Sequence, residues 1–182
     1  MGKLTTKYLR ADDADNLLEA LRFADKQGHP LNVAITAHWL LFNGRLSGEQ
    51  RLANAQERLR HSFNRRGHEL YWYWVRERSG DTDHTHLHAH DPFNDDGITF
   101  ERLLLRAFEL DGGPNDRALL IKPTGSGQRG SGGPRGWYRY LMKGLSRSEA
   151  FERHITPKRQ GVITGKRCGM TQNINKAARL RV

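Results

Sequence analysis

Histidine occupies every second position from His84 to His90, within the sequence DHTHLHAH that begins at Asp83. Successive side chains of a β-strand point to opposite faces of a sheet, so a strand here places all four imidazoles on one face. Thr85, Leu87 and Ala89 then point to the other face, toward a predicted layer of helices. The alternation therefore predicts a strand with one imidazole face and one packed face.

Gly and Pro residues separate the rest of the chain into segments, and each segment has a pattern typical of a helix or of a strand. Apolar residues at helical spacing predict the main helices at 11–26, 47–63, 100–108 and 137–145. Short runs rich in β-branched or aromatic residues predict strands at 31–36, 70–78, 85–89, 118–122 and 162–164. Two strands follow each other without an intervening helix, which is typical of an α+β fold. We expect one domain, 1–182, with a central antiparallel β-sheet of four to five strands and helices packed on one or both faces.

Positive charge is concentrated in the last third of the chain. The formal net charge is +10; residues 1–115 carry 15 Lys+Arg and 17 Asp+Glu, whereas residues 116–182 carry 15 Lys+Arg and 3 Asp+Glu. A polarised positive charge attracts polyanions, because each phosphate neutralised by Lys or Arg releases condensed counterions. This distribution favours a nucleic-acid partner.

Several protein classes are excluded by simple features of the chain. The one cysteine, Cys168, cannot form an internal disulfide, which suits a reducing compartment. No apolar run approaches the roughly 20 residues needed to span a bilayer. The start, MGKLTTKYLR, lacks the apolar core of a secretory signal. We therefore expect a cytoplasmic protein with no membrane partner.

The histidine strand is a candidate metal site. Two imidazoles that lie two residues apart on one strand face can chelate one divalent ion, and a third ligand usually comes from a neighbouring strand. Glu77 lies near the end of the preceding predicted strand, so a hairpin brings its carboxylate toward His84 and His86. Two imidazoles and a carboxylate suit Mn²⁺ or another first-row ion, or Mg²⁺ if oxygen ligands dominate. His88 and His90 are alternative ligands or outer partners, and a solvated His-rich strand without a specific metal is the competing interpretation.

A tyrosine and a lysine form the second candidate site. Tyr140 and Lys143 are three residues apart in the sequence WYRYLMK, so on a helix they share a face. A nearby ammonium group can stabilise a phenolate or the charge that develops on a phosphoryl group. Tyr138 points roughly 200° away from Tyr140 on a helix and shares its face with apolar residues, which predicts core packing.

Together these motifs resemble the HUH endonuclease superfamily. That superfamily has a histidine-hydrophobic-histidine motif on a central strand and a Y-x-x-K motif on a later helix. The matching residues here are His84-Thr85-His86 or His86-Leu87-His88, the preceding Glu77, and Tyr140-Leu141-Met142-Lys143. The apolar run LNVAIT at 31–36 resembles the first motif of the superfamily, an apolar strand that ends in Thr. The tyrosine follows the histidines, which resembles rolling-circle replication initiators and single-strand transposases rather than relaxases.

The resemblance implies a function and a mechanism. Tyr140 would attack a phosphodiester of single-stranded DNA, at an origin or at the hairpin of an element end, and would leave a 5′-phosphotyrosine link and a free 3′-hydroxyl. A divalent ion, Mn or Mg, held by Glu77, His84 and His86 would assist, and Lys143 would stabilise the phenolate. The segment Gly161–Arg167 has the wrong spacing for a nucleotide-binding loop. Any helicase would therefore be supplied by the host.

Two segments and a set of basic residues are predicted to serve nucleic-acid binding. Residues 123–136 contain six glycines and two prolines, which predicts a mobile loop, and 146–182 is predicted to be a basic C-terminal extension. The candidate nucleic-acid-binding residues are Arg129, Arg135, Arg139, Lys158, Arg159, Lys166 and Arg167.

Two other functions fit these residues. One is a non-catalytic basic protein that binds single-stranded nucleic acid and carries an incidental metal site. The other is a metal-dependent hydrolase that uses water. Tyr140 separates them from the HUH mechanism, because neither a binder nor a water-using hydrolase needs it.

Overall fold

The structure is a computed structural model of the 182-residue chain, and it describes residues 5–42, 44–80, 82–93, 95, 98–110, 117–124 and 133–181. Its helices are α1 Ala11–Lys26, α2 Gly48–Asn64, α3 Ile98–Ala107, α4 Gly133–Leu141, α5 Arg147–Glu152 and α6 Lys176–Arg179. Its strands are β1 Thr5–Thr6, β2 Val33–His38, β3 Trp72–Ser79, β4 Thr82–Ala89, β5 Leu119–Pro123, β6 Ile163–Thr164 and β7 Cys168–Met170.

Five of the strands form one antiparallel sheet in the order β5-β2-β4-β3-β7, and β1 pairs with β6 in a small second sheet. This confirms the predicted α+β class and the number of strands in the central sheet. The histidine strand β4 lies at the centre, between β2 and β3. Both neighbours of β4 can therefore contribute side chains to its imidazole face.

Each face of the sheet has its own apolar core. Helices α2 and α3 cover one face, where the stripe predicted for α2 (Leu52, Ala55, Leu59 and Phe63) is buried together with Leu87 and Ala89 of β4. Ser47 begins α2 with the predicted capping box, in which its side chain accepts from Gln50 and the Gln50 side chain accepts from its backbone. The other face is covered by α1, α4 and the turn after α4, with a core that includes Leu17, Leu21, Tyr138 and Leu141.

Residues 146–182, which were predicted to be a basic C-terminal extension, contribute strands to both sheets. Strand β7 pairs with β3 at the edge of the central sheet, and β6 pairs with β1. Ala150, Ile163 and Ile174 are fully or almost fully buried. Removal of 146–182 would therefore expose the edge of β3 and part of the core.

Both ends of the predicted glycine-rich loop 123–136 lie in described secondary structure. Pro123 is the last residue of β5, Thr124 is buried, and α4 begins at Gly133 rather than at Trp137. Pro134 suits the first turn of a helix, because its missing N–H has no partner there and its φ is already helical. Residues 125–132, on which the prediction of mobility rests, lie outside the described residues.

Among the helices that the structure describes, none combines the length and the apolar character that crossing a membrane requires.

Candidate metal centre and tyrosine site

The β3–β4 hairpin brings the predicted carboxylate and imidazoles together. Its register places Glu77 directly opposite His84. The Nε2 atom of His84 hydrogen-bonds with Oε1 of Glu77, and Nε2 of His86 lies 3.1 Å from the same oxygen. All three side chains are buried, and one candidate ligand atom from each lies within 4.8 Å of the others. The predicted trio therefore forms one group of the size of a metal site.

The hydrogen bonds of His86 suit a metal ligand. Its Nδ1 hydrogen-bonds with Oγ1 of Thr36 at 2.9 Å, across the β2–β4 pair. Its Nε2 is buried and makes no hydrogen bond in the described part of the chain. A bond through Nδ1 orients the ring and leaves the lone pair of Nε2 for a metal. Burial lowers the pKa of His86, partly opposed by Glu77, which favours the neutral imidazole that ligation requires.

The Glu77 carboxylate also binds two groups from distant parts of the chain. Nζ of Lys143 lies 3.1 Å from Oε1 and 3.0 Å from Oε2, and Nε2 of Gln160 donates to Oε2 at 2.5 Å. Burial alone raises the pKa of Glu77, but the neighbouring imidazoles of His84 and His86 and the charge of Lys143 together hold it well below its usual range. The carboxylate is therefore ionised and oriented at neutral pH.

Helix α4 places Tyr140 against the same group. The Tyr140 ring meets the His86 ring edge-on, with centroids 5.3 Å apart, and stacks on Trp137 at 5.1 Å. Nζ of Lys143 lies 3.6 Å from the centroid of the Tyr140 ring. Lys143 therefore contacts both the Glu77 carboxylate and the π-face of Tyr140.

The two tyrosines of α4 differ in accessibility, as their helical spacing predicts. Tyr140 is 43% exposed, whereas Tyr138 is 6% exposed and its hydroxyl donates to the carbonyl of Ala14 at 3.1 Å. Burial raises the pKa of Tyr138 to about 12. Of the two, Tyr140 alone combines solvent access with proximity to the buried group.

His88 and His90 lie apart from the trio, so the pair that meets Glu77 is His84 and His86. Nδ1 of His88 hydrogen-bonds with the hydroxyl of Tyr73 at 2.9 Å, and burial lowers the pKa of His88 to about 3. Nδ1 of His90 hydrogen-bonds with the carbonyl of Pro30 at 2.8 Å. Both imidazoles thus have structural partners of their own.

Two residues of the site were missed by sequence reasoning. His38 pairs with His84 across β2 and β4, and their ring centroids are 5.6 Å apart. The sequence pattern could have predicted His38, because it follows Thr36 by two residues and so lies on the same face of the strand. Gln160 had no local signal, since it lies 83 residues from Glu77 in sequence.

The predicted nucleic-acid-binding residues fall into three groups. Arg135, Arg139, Lys158, Arg159 and Lys166 are exposed. Arg167 is 4% exposed, and its guanidinium donates to the carbonyls of Thr6 and Gly161, so its position does not support nucleic-acid contact. The buried guanidinium instead ties β1 to the segment before β6. Arg129 lies outside the described residues.

Comparisons with known proteins found no matching family and no matching curated protein. The interpretation of the site therefore depends on its own chemistry.

Proposed function

We propose that this chain is a metal-dependent endonuclease of the HUH type that nicks and rejoins single-stranded DNA with Tyr140 as the nucleophile. The observation that carries the proposal is the convergence of Glu77, His84 and His86 with the Lys143 ammonium and an accessible Tyr140 ring. A buried metal-binding group is common to many proteins. An accessible tyrosine next to such a group is a more specific combination, because a phosphotyrosine intermediate requires a tyrosine hydroxyl that DNA can reach.

The residues divide the chemistry between them. Glu77, His84 and His86 would hold Mn²⁺ or Mg²⁺, and the bound ion would polarise a phosphodiester oxygen as a Lewis acid. The phenol oxygen of Tyr140 forms a bond to phosphorus while the bond from phosphorus to the 3′-oxygen breaks. The phenol proton passes to solvent, and the 3′-oxygen takes up a proton and leaves as a hydroxyl. Lys143 stabilises negative charge on the Tyr140 oxygen, since its ammonium lies against that ring.

The same residues account for rejoining. The phosphotyrosine bond retains the phosphoryl group, so attack by a 3′-hydroxyl on phosphorus regenerates a phosphodiester and returns Tyr140 to its free form. No nucleotide cofactor is needed for this exchange of one phosphodiester for another. Replication initiation and single-strand transposition both use such a reaction, and they are the roles that we propose.

Adduct formation tests this proposal. The protein would be incubated with labelled single-stranded DNA and Mn²⁺, denatured, and examined for a labelled band at the mass of protein plus DNA. Tyr140→Phe should abolish the band, because the nucleophilic oxygen is lost, and Tyr138→Phe is the matched control that should retain it. If Tyr140→Phe still formed the adduct, Tyr140 would not be the nucleophile.

A second candidate function is a non-catalytic binder of single-stranded nucleic acid. One observation favours it: Glu77 already accepts hydrogen bonds from His84, Lys143 and Gln160, so its charge is satisfied within the chain. A binder of this kind would give no covalent adduct under any metal condition, and its affinity would be unchanged by Tyr140→Phe. The adduct assay therefore separates the two functions.

A further inference from the structure

Three chain segments meet beside Lys143 and form a groove. Leu9 forms an isolated parallel bridge with Leu145, and its N–H donates to the carbonyl of Gly144 at 2.8 Å. From the other side, the N–H of Lys158 donates to the carbonyl of Lys143, also at 2.8 Å. The groove is therefore attached to the backbone of the residue that contacts Glu77 and Tyr140.

The lining of this groove combines one aromatic ring with three cations. It encloses about 460 Å³, and its lining includes Tyr8, Leu145, Pro157, Arg147, Lys158 and Arg159. Tyr8 has a large aromatic side chain but is 46% exposed, whereas the next residue, Leu9, is fully buried. The ring is thus presented to solvent inside a basic groove.

The three cations have no carboxylate partner among the residues that the structure describes. In the described part of the chain, no carboxylate oxygen lies within 4 Å of the charged groups of Arg147, Lys158 or Arg159. Other arginines of the same region behave differently: Arg153 lies 2.9 Å from Asp15, and Arg179 lies 3.2 Å from Glu19. The positive charge of the groove is therefore free to bind an external anion.

Unpaired cations around an exposed aromatic ring suit single-stranded nucleic acid. Cations follow the phosphates of such a strand, and aromatic side chains stack on its unpaired bases. The bases of a duplex are already stacked on one another, so a duplex offers phosphates to this groove but no base to Tyr8. The ring therefore distinguishes a single strand from other polyanions.

We propose that this groove binds nucleotides of a single DNA strand next to the phosphate that reaches Tyr140, with a base stacked on Tyr8 and phosphates on Arg147, Lys158 and Arg159. The position next to the scissile phosphate rests on the proposed function. The segment that carries Lys158 and Arg159 continues into Gln160, which donates to Glu77. A strand bound in the groove therefore lies against the same segment that orients the carboxylate.

Binding without chemistry tests the groove by itself. Fluorescence anisotropy with a labelled ten-nucleotide oligodeoxythymidylate would be measured in EDTA, where metal-dependent cleavage cannot occur. Tyr8→Ala should weaken binding roughly 5- to 150-fold, the range for loss of one base–aromatic stack. Tyr8→Phe retains the ring and should bind like the wild type. A labelled blunt-ended duplex without a loop should lose little affinity from Tyr8→Ala, since all of its bases are paired and stacked.

The cations are tested by the dependence of affinity on salt. The double variant Arg147→Ala/Arg159→Ala should reduce the slope of log affinity against log salt by about 1.4, if each arginine neutralises one phosphate of a single strand. Lys26→Ala/Lys176→Ala removes the same charge from exposed lysines outside the groove and should leave the slope unchanged.

The proposal is overturned if Tyr8→Ala binds the single strand as well as the wild type does, or if the groove and control double variants change the slope equally. It is also overturned if Tyr8→Ala weakens the duplex as much as the single strand. Adduct formation together with unchanged binding by Tyr8→Ala would contradict the proposal for the groove and support the proposed nuclease function. Weakened binding by Tyr8→Ala, with no adduct formed by the wild type under any condition, would support the proposal for the groove and contradict the proposed nuclease function.

Discussion

The two faces of β4 carry different chemistry although they belong to the same eight residues. On one face, Leu87 and Ala89 are fully buried against α2 and α3. On the other face, His84 and His86 are also buried but meet a carboxylate instead of an apolar core. Burial alone therefore does not identify the function of a residue in this strand. The function of each residue is indicated by the groups that its side chain contacts. Because side chains alternate along the strand, the candidate ligands and the core residues lie on opposite faces.

The middle residue of the histidine pair illustrates this separation. Thr85 lies between the two candidate ligands in sequence, yet its side chain points to the other face. Its hydroxyl accepts a hydrogen bond from Nε1 of Trp39 at 3.0 Å, within the apolar layer. Thr85 is therefore a structural residue.

The largest expected effect on stability lies on the apolar face. Leu87→Ala should lower the free energy of unfolding by about 2–5 kcal/mol, because it leaves a cavity in the core covered by α2 and α3. Urea denaturation would measure the loss, and Mn²⁺ affinity of the folded variant should be unchanged. A large fall in metal affinity with little loss of stability would show that the two faces are not separate.

Substitutions at two glycines, Gly144 and Gly169, compare the two faces more sharply, and their expected effect on stability is intermediate. A Cβ at Gly144 would lie 2.2 Å from Oε1 of Gln160, whereas a Cβ at Gly169 would lie 2.7 Å from Cζ2 of Trp74 in the apolar core. Each substitution by Ala should cost about 1–3 kcal/mol of stability through overpacking. Only Gly144→Ala displaces the group that orients Glu77.

Gly144→Ala should therefore also weaken Mn²⁺ binding on the order of tenfold, as loss of an outer partner of a metal ligand does. Isothermal titration of both variants with Mn²⁺ would measure the difference. Equal Mn²⁺ affinities in Gly144→Ala and Gly169→Ala would show that Gln160 does not orient the site.

The smallest expected effect concerns Thr85. Thr85→Val keeps the size of the side chain but leaves Nε1 of Trp39 without its partner, which should cost roughly 1–2 kcal/mol. Denaturation would measure this cost. Adduct formation should continue at the wild-type rate, and a strong loss of adduct would assign Thr85 to the reaction.

Local patterns predicted the parts of the site that lie close together in sequence. The alternation in β4 and the short connection to β3 were sufficient to place Glu77 beside His84, because hairpin register follows from strand parity and turn length. Helical spacing was likewise sufficient to separate Tyr140 from Tyr138. These features depend on residues within about ten positions of each other.

The remaining features depend on contacts between distant segments, which local patterns do not encode. Gln160 reaches Glu77 only because the last segment folds back along the edge of the sheet, where β7 pairs with β3. A short strand such as Cys168–Met170 has too few residues to show alternation. Arg167 likewise appears as one more surface cation in sequence, and its burial follows from packing against Thr6 and Gly161.

The central claim is that the imidazole face of β4 binds one divalent ion while the apolar face holds the fold. Isothermal titration with Mn²⁺ tests it directly, with the wild type compared with the double variant His84→Ala/His86→Ala and with cooperative urea unfolding as the check that the variant is folded. We predict saturable binding of one Mn²⁺ per wild-type chain and no binding by the folded double variant. A wild-type chain that does not bind Mn²⁺, or a double variant that binds it with unchanged affinity, would contradict the claim.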